Sequence, residues 1–246
     1  MIKNITGIIV SYIFVFVVII SAKLVEKKGK EASRKYIHIT LSFWWVIALV
    51  FFNNIWFAII PPITFVILNY ISVKKDLIKV MEREEEKKDG YGTVYYALSL
   101  LILVIVTFII NKTELGLVGV FTMGFGDGFA AIIGKRVNSK QYKIGNTTKT
   151  IAGSLTMFII TLIITAIFMA FYGVNMWLIK SVLIAIIMTI VEAISIKGTD
   201  NLTVPLISCL LTYLCMWKSK IHNTKLMSNV VGVGVPDDPK VRLTIK

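Results

Sequence analysis

The side chains in this sequence best equipped for chemistry are carboxylates and cations set among apolar residues. Asp127 lies in "GFGDGFAAIIGKR", inside a stretch apolar enough to cross a bilayer. An ionised carboxylate is expensive there and usually faces a partner, a cavity or a metal. Lys135 follows eight residues later, roughly on the same helical face, and Arg136, Lys140, Lys143 and Lys149 come after it. A carboxylate above a basic loop supplies what a Mg2+–polyphosphate needs: oxygen ligands for the cation and positive charge for the phosphates. Two plainer accounts stand beside this one. Asp127 also reads, less readily, as half of an interhelical salt bridge, and the loop as positive charge that only sets orientation. Gly124 and Gly128 flank Asp127 at a spacing that also lets another helix approach closely.

Two further groups draw attention. In "EASRKYIHIT", Arg34 and His38 share a helical face with Lys35 beside them. The histidine has the chemistry of an acid–base group, and the trio also reads as a charged helix end. In "VEAISIKGTDNLTVP", Glu192 is followed after a short turn by Asp200 and Asn201. Their oxygens suit a metal or a hydroxyl group; the alternative pairs Glu192 with a basic loop residue and makes Asp200–Asn201 a helix cap. No Walker-type loop is present. "GNTTKT" lacks the glycine before its lysine, and "GFAAIIGKR" has Arg136 where serine or threonine belongs.

These groups are spaced by elements of one kind. Of the 246 residues, 56% are hydrophobic, and mean hydropathy is +0.78. Apolar runs near the roughly 20 residues that span a bilayer core predict an all-α, polytopic integral membrane protein with about 7–8 transmembrane helices in one bundle. Hydropathy places them at 4–22, 37–52, 56–73, 93–111, 114–134, 151–172, 175–196 and 202–217. The first reads as a retained helix rather than a cleaved signal, and Pro61–Pro62 predict a kink in the third. Residues 1–217 form one membrane domain and 218–246 a tail. Leu77, Ile78, Val80 and Met81, among dense charge of both signs, suggest an interfacial helix or a solvated linker within 74–92. Cys209 and Cys215 share one apolar segment with no histidines nearby, which argues for lipid-facing or packing residues rather than zinc.

The net charge of +13 would suit nucleic acid, but its distribution and the hydropathy exclude that partner. The loops at 23–36, 74–92, 135–150 and 197–201 hold 18 of the 27 lysines and arginines, a positive-inside pattern that puts them in the cytoplasm. Six basic residues from Lys218 onward disagree with an eighth crossing. Either the last segment is re-entrant or the tail is an exception.

Taken in order, "RKYIH", "DGYGTVYY", "GFGDGFAAIIGKR", "KTIAGS" and "VEAISIKGTDNLTVP" resemble the polyprenol kinase family of membrane enzymes, over Arg34 to Pro205. The resemblance implies CTP-dependent phosphoryl transfer to the hydroxyl of a membrane-dissolved lipid alcohol: a polyprenol, phytol or farnesol, or diacylglycerol. It marks Arg34, Lys35, Asp127, Gly134 and Lys149 as candidates for activity. Asp127 would hold Mg2+ or accept the alcohol proton, and Glu192 and Asp200 would be further metal or base candidates. Lys135, Arg136 and Lys149 would hold phosphates, Arg34 and Lys35 would close the phosphate site, and Gly126, Gly128, Gly134, Thr150 and Ser154 would line the nucleotide. Ala152 departs from the acidic residue that eukaryotic relatives often carry in this motif. A more distant likeness to phosphatidate cytidylyltransferases gives a second enzyme class. An ion-coupled carrier using Asp127 and Glu192 is the non-enzyme alternative.

Overall fold

The computed structural model describes residues 1–27, 29–75, 91–144, 147–196 and 198–231; side chains are described as far as Trp217, except those of Lys30 and Glu31. The interfacial helix expected within 74–92 and the "VGVGVPDDPK" segment fall outside the described residues for all but their first one or two and, for the former, last two positions.

The long apolar runs fold as helices because bilayer-facing backbone must satisfy its own hydrogen bonds. Among the described residues seven helices are long and apolar enough to cross a membrane. They are α1 (Ile2–Glu26), α4–α5 (Ile55–Ala58 and Ile60–Lys75), α6 (Gly92–Ile109), α7 with its continuation (Leu115–Arg136), α9 (Ile151–Phe171), α10 (Trp177–Ile194) and the first part of α11 (Asp200–Val231). The run expected at 37–52 is split into α2 (Lys30–Ser42) and α3 (Trp44–Phe51), with the break at Phe43. Together they still cover the full depth of α1, antiparallel to it. Ser33 donates to the Ala22 carbonyl at one end (2.8 Å), Trp44 to Ser11 in the middle (2.9 Å) and Asn4 to Asn53 at the other (2.7 Å). By geometry the described residues therefore traverse the bundle eight times.

The third run breaks at Ile59, just before Pro61 and Pro62, which occupy the first turn of α5 where a missing N–H is tolerated. Residues 200–217 form a continuous helix, not a re-entrant one, and α11 continues to Val231. Its 32 residues reach about 48 Å, more than a bilayer core requires. Cys209 is buried in the core and Cys215 packs against it, as the packing reading expected.

The central element is the fifth traversal, Leu115–Arg136, 61% buried along its apolar window against 22% for α1. It consists of α7 (Leu115–Phe121), a π-helical turn (Thr122–Asp127) and α8 (Gly128–Arg136). Small residues allow this burial. A Cβ on Gly116 would overlap the Trp45 ring, and one on Gly119 would lie 2.6 Å from the Pro205 carbonyl. One on Gly124 would fall 1.6 Å from the Ser42 hydroxyl. The helix thus touches α3, α11 and α2 at van der Waals range, the small-residue packing that serves in lipid.

Candidate active site

Alternating helix direction brings the chemistry to one end of the bundle. The first turns of α2, α6, α9 and α11, the last turn of α10 and the C-terminal half of the central span meet there. A two-stranded antiparallel hairpin, β1 (Gln141–Ile144) and β2 (Thr147–Thr150), joins α8 to α9 at this end. Gly198, at φ +79°, makes the turn between α10 and α11, and a Cβ there would lie 2.9 Å from the Gly92 Cα. Asn201 ties the same corner by donating to the Gly92 carbonyl at 2.9 Å.

Asp127 ends the π turn, a geometry that recurs at functional sites. It is 4% exposed and pairs with Lys35 of α2, which is 1% exposed. Arg34, 6% exposed, lies within electrostatic reach of both. Across the cluster Lys149 of β2 pairs with Glu192 of α10. Asp200, at the start of α11, reaches Lys35, Lys149 and Glu192 electrostatically and so connects the two pairs. Burial disfavours the Lys149 charge, but Glu192 with Asp127 and Asp200 together outweigh it, and the ammonium holds its proton more tightly than an ordinary lysine. His38 stacks on Tyr96 with ring centroids 5.0 Å apart and lies close enough to influence Asp127.

The basic loop does not close over this cluster as one site. Strand alternation turns Lys149 toward Glu192 while Thr148 and Thr150 face an open cleft of about 530 Å3. Gly134, Lys135, Arg136, Asn138, Ser139 and Gln141 line the same cleft. Lys135, Arg136 and Lys149, expected on the same phosphates, are therefore divided between the cleft and the buried cluster. Gly126 packs on Met157 and Gly128 on Ile39, and Ser154 is hydrogen-bonded to Tyr142, so close packing or a protein partner occupies all three. Thr150 accepts from the Gly153 N–H at 3.1 Å and caps α9. Asp200 accepts from the Asn201 N–H at 3.0 Å, so a local backbone role and a place in the cluster coexist.

Asp127, Glu192 and Asp200 supply hard oxygen donors suited to Mg2+. Among the described residues no three His, Cys, Asp or Glu side chains gather closely enough to hold a metal by themselves. Mg2+ does not demand such a cage, since one or two carboxylates with substrate phosphates commonly suffice.

Tyr96 and Ser42 escaped the sequence reading. The tyrosine sits in "DGYGTVYY" and stacks on His38; the serine is the surface that Gly124 meets. A helical-face projection from Arg34 and His38 would have put Ser42 on their side, but its partner helix is not readable that way.

The described residues define the class as an all-α polytopic membrane protein with cations and carboxylates gathered beside a polar cleft at one end of its bundle. The chain is 28% identical over 208 residues to the phytol kinase of Synechocystis sp., covering 80% of this chain and 85% of that protein. It is 30% identical over 224 residues to a probable chloroplastic phytol kinase of Zea mays, covering 83% and 72%. An uncharacterised protein of Methanocaldococcus jannaschii is 33% identical over 140 residues, 56% of this chain and 65% of that one. The chain belongs to the polyprenol/phytol kinase family. No family model matches it, and no solved structure does.

Proposed function

We propose that this protein is a membrane-embedded kinase that transfers the γ-phosphoryl group of CTP to the hydroxyl of a membrane lipid alcohol, an isoprenoid alcohol foremost. The observation that carries the reading is the cluster of buried Arg34, Lys35, Asp127, Glu192 and Asp200 with half-buried Lys149, at the bundle end that also bears the basic cleft. The family's phytol kinases supply the acceptor class.

Phosphoryl transfer depends mainly on alignment and charge neutralisation. The alcohol oxygen forms a bond to the γ-phosphorus, the bond from that phosphorus to the β–γ bridging oxygen breaks, and CDP leaves. Arg34, Lys35 and Lys149 offset the charge on the transferred group, while Lys135 and Arg136 hold the remainder of the nucleotide from the cleft. Asp127 would take the alcohol proton, or would hold Mg2+ together with one of Glu192 and Asp200 while the other takes the proton. Mg2+ supplies charge neutralisation between the phosphates. The alcohol's chain stays among the apolar helices, and only its hydroxyl reaches the cluster. The positive-inside pattern supports a cytoplasmic location for this end, where CTP is available.

Purified protein incubated with CTP labelled at the γ-phosphate and a panel of lipid alcohols tests the reading. The expected product is a labelled lipid phosphate with CDP released. Release of pyrophosphate with cytidine on the lipid would replace it with the cytidylyltransferase reaction, and absence of any nucleotide turnover would leave the carrier reading.

A further inference from the structure

The two lysine–carboxylate pairs sit in one cluster, joined by Asp200, rather than scattered through the bundle. Setting His38 aside, Arg34, Lys35 and Lys149 balance Asp127, Glu192 and Asp200, so the cluster carries no net charge. Each pair also bridges separate elements, α2 to the π turn and β2 to α10. Both lysines that a polyphosphate would use here are already paired with carboxylates that a divalent cation would use.

We infer that the pairs act as an exchange latch, so that divalent cation and polyphosphate enter together and neither enters well alone. A cation arriving by itself must take carboxylates from lysines and leave buried ammonium groups without counter-charge, which is strongly unfavourable. A metal-free polyphosphate must take the lysines and face three bare carboxylates. Arriving together they repartner every charge: carboxylates move to the cation, lysines to the phosphates. The coupling is a difference in binding free energy between sites within one cluster. Lys149 starts the exchange, because its side chain is 21% exposed while Glu192 is 6% exposed. This rests on the proposed nucleotide site and specifies how that site is occupied.

The test is equilibrium binding to the full chain in detergent, with CTP or inorganic tripolyphosphate, in excess Mg2+ or excess EDTA. Wild-type protein is expected to bind CTP at least tenfold more tightly in Mg2+ than in EDTA, and Mg2+ alone is expected to leave its melting temperature unchanged. Glu192→Gln frees Lys149 and should bind metal-free CTP several-fold more tightly than wild type while losing most of the Mg2+ enhancement. The neutral double variant Lys149→Gln/Glu192→Gln keeps the charge balance and should bind both forms weakly, which separates exchange from misfolding. Equal wild-type affinity in Mg2+ and EDTA, or metal-free binding by Glu192→Gln no tighter than wild type, would overturn the latch. Coupled binding of tripolyphosphate with no advantage for CTP would keep the latch and reject the cytidine nucleotide. Folded wild-type protein that binds neither probe under any condition would reject the nucleotide site itself.

Discussion

Lys35 and Asp127, 92 positions apart in the chain, form an ion pair buried between α2 and the π turn of the central helix. The pair joins a structural duty to a chemical one, and variants can separate the two.

Breaking the pair from one side leaves a charge in the bundle without its counter-ion, at about 3–5 kcal/mol. Asp127→Asn is therefore expected to lower thermal stability in detergent and to abolish phosphoryl transfer. Lys35→Met combined with Asp127→Leu removes both charges; it should recover most of the stability and none of the turnover. Asp127→Asn protein as stable as wild type would show that the pair does not hold α2 to the central helix. Turnover by the double variant would remove both residues from the chemistry.

Gly124 has no room for a methyl group, since its Cβ would fall 1.6 Å from the Ser42 hydroxyl and 3.0 Å from the His38 carbonyl. Gly124→Ala should cost about 1–3 kcal/mol by overpacking and push α2, with Lys35, away from Asp127. Ser42→Gly in the same chain should restore most of the melting temperature. Failure of that rescue would locate the clash elsewhere.

Thr150 both caps α9 and lines the cleft. Thr150→Ala should lose about 0.5–2 kcal/mol of stability, whereas Thr150→Ser keeps the cap. If the hydroxyl also touches nucleotide, Thr150→Ala raises KM for CTP beyond what a stability-matched variant at another helix cap does. An unchanged KM would leave Thr150 as a cap only.

The proposed cytoplasmic location of the cluster, with the eight traversals made by the described residues, fixes a labelling pattern. Ser33 is fully buried and bonded to Ala22, so a cysteine there would not report. Exposed Lys27 and Asn138 are the better positions on the cluster side, with Asn53 and Lys112 on the other. In a background lacking Cys209 and Cys215, single cysteines at Lys27 and Asn138 should be protected from an impermeant thiol reagent in intact cells and react in inverted vesicles. Those at Asn53 and Lys112 should behave oppositely. Different behaviour at Lys27 and Asn138 would break the shared site.

Hydropathy determined the helical membrane class and nearly every span, because a backbone in lipid has few ways to satisfy its hydrogen bonds and apolar length is written directly in the residues. It also exposed Asp127 and Glu192, since charge inside an apolar run is conspicuous by composition alone. The break at Phe43 was not legible: it leaves the apolar run uninterrupted, and only the packing of α2 and α3 along α1 shows the traversal is kept. Which cation meets which carboxylate was equally out of reach. Lys149 was expected on the phosphates beside Lys135 and Arg136, but the two-residue alternation of β2 turns it to Glu192 and leaves Thr148 and Thr150 on the cleft. The π turn at Asp127 and the contact of Gly124 with Ser42 belong to the same class of fact. Residue types and apolar lengths are properties of the chain taken locally. The partners of a buried charge are set by which helices close on each other, and in this bundle that depends on glycine contacts between segments far apart in the sequence.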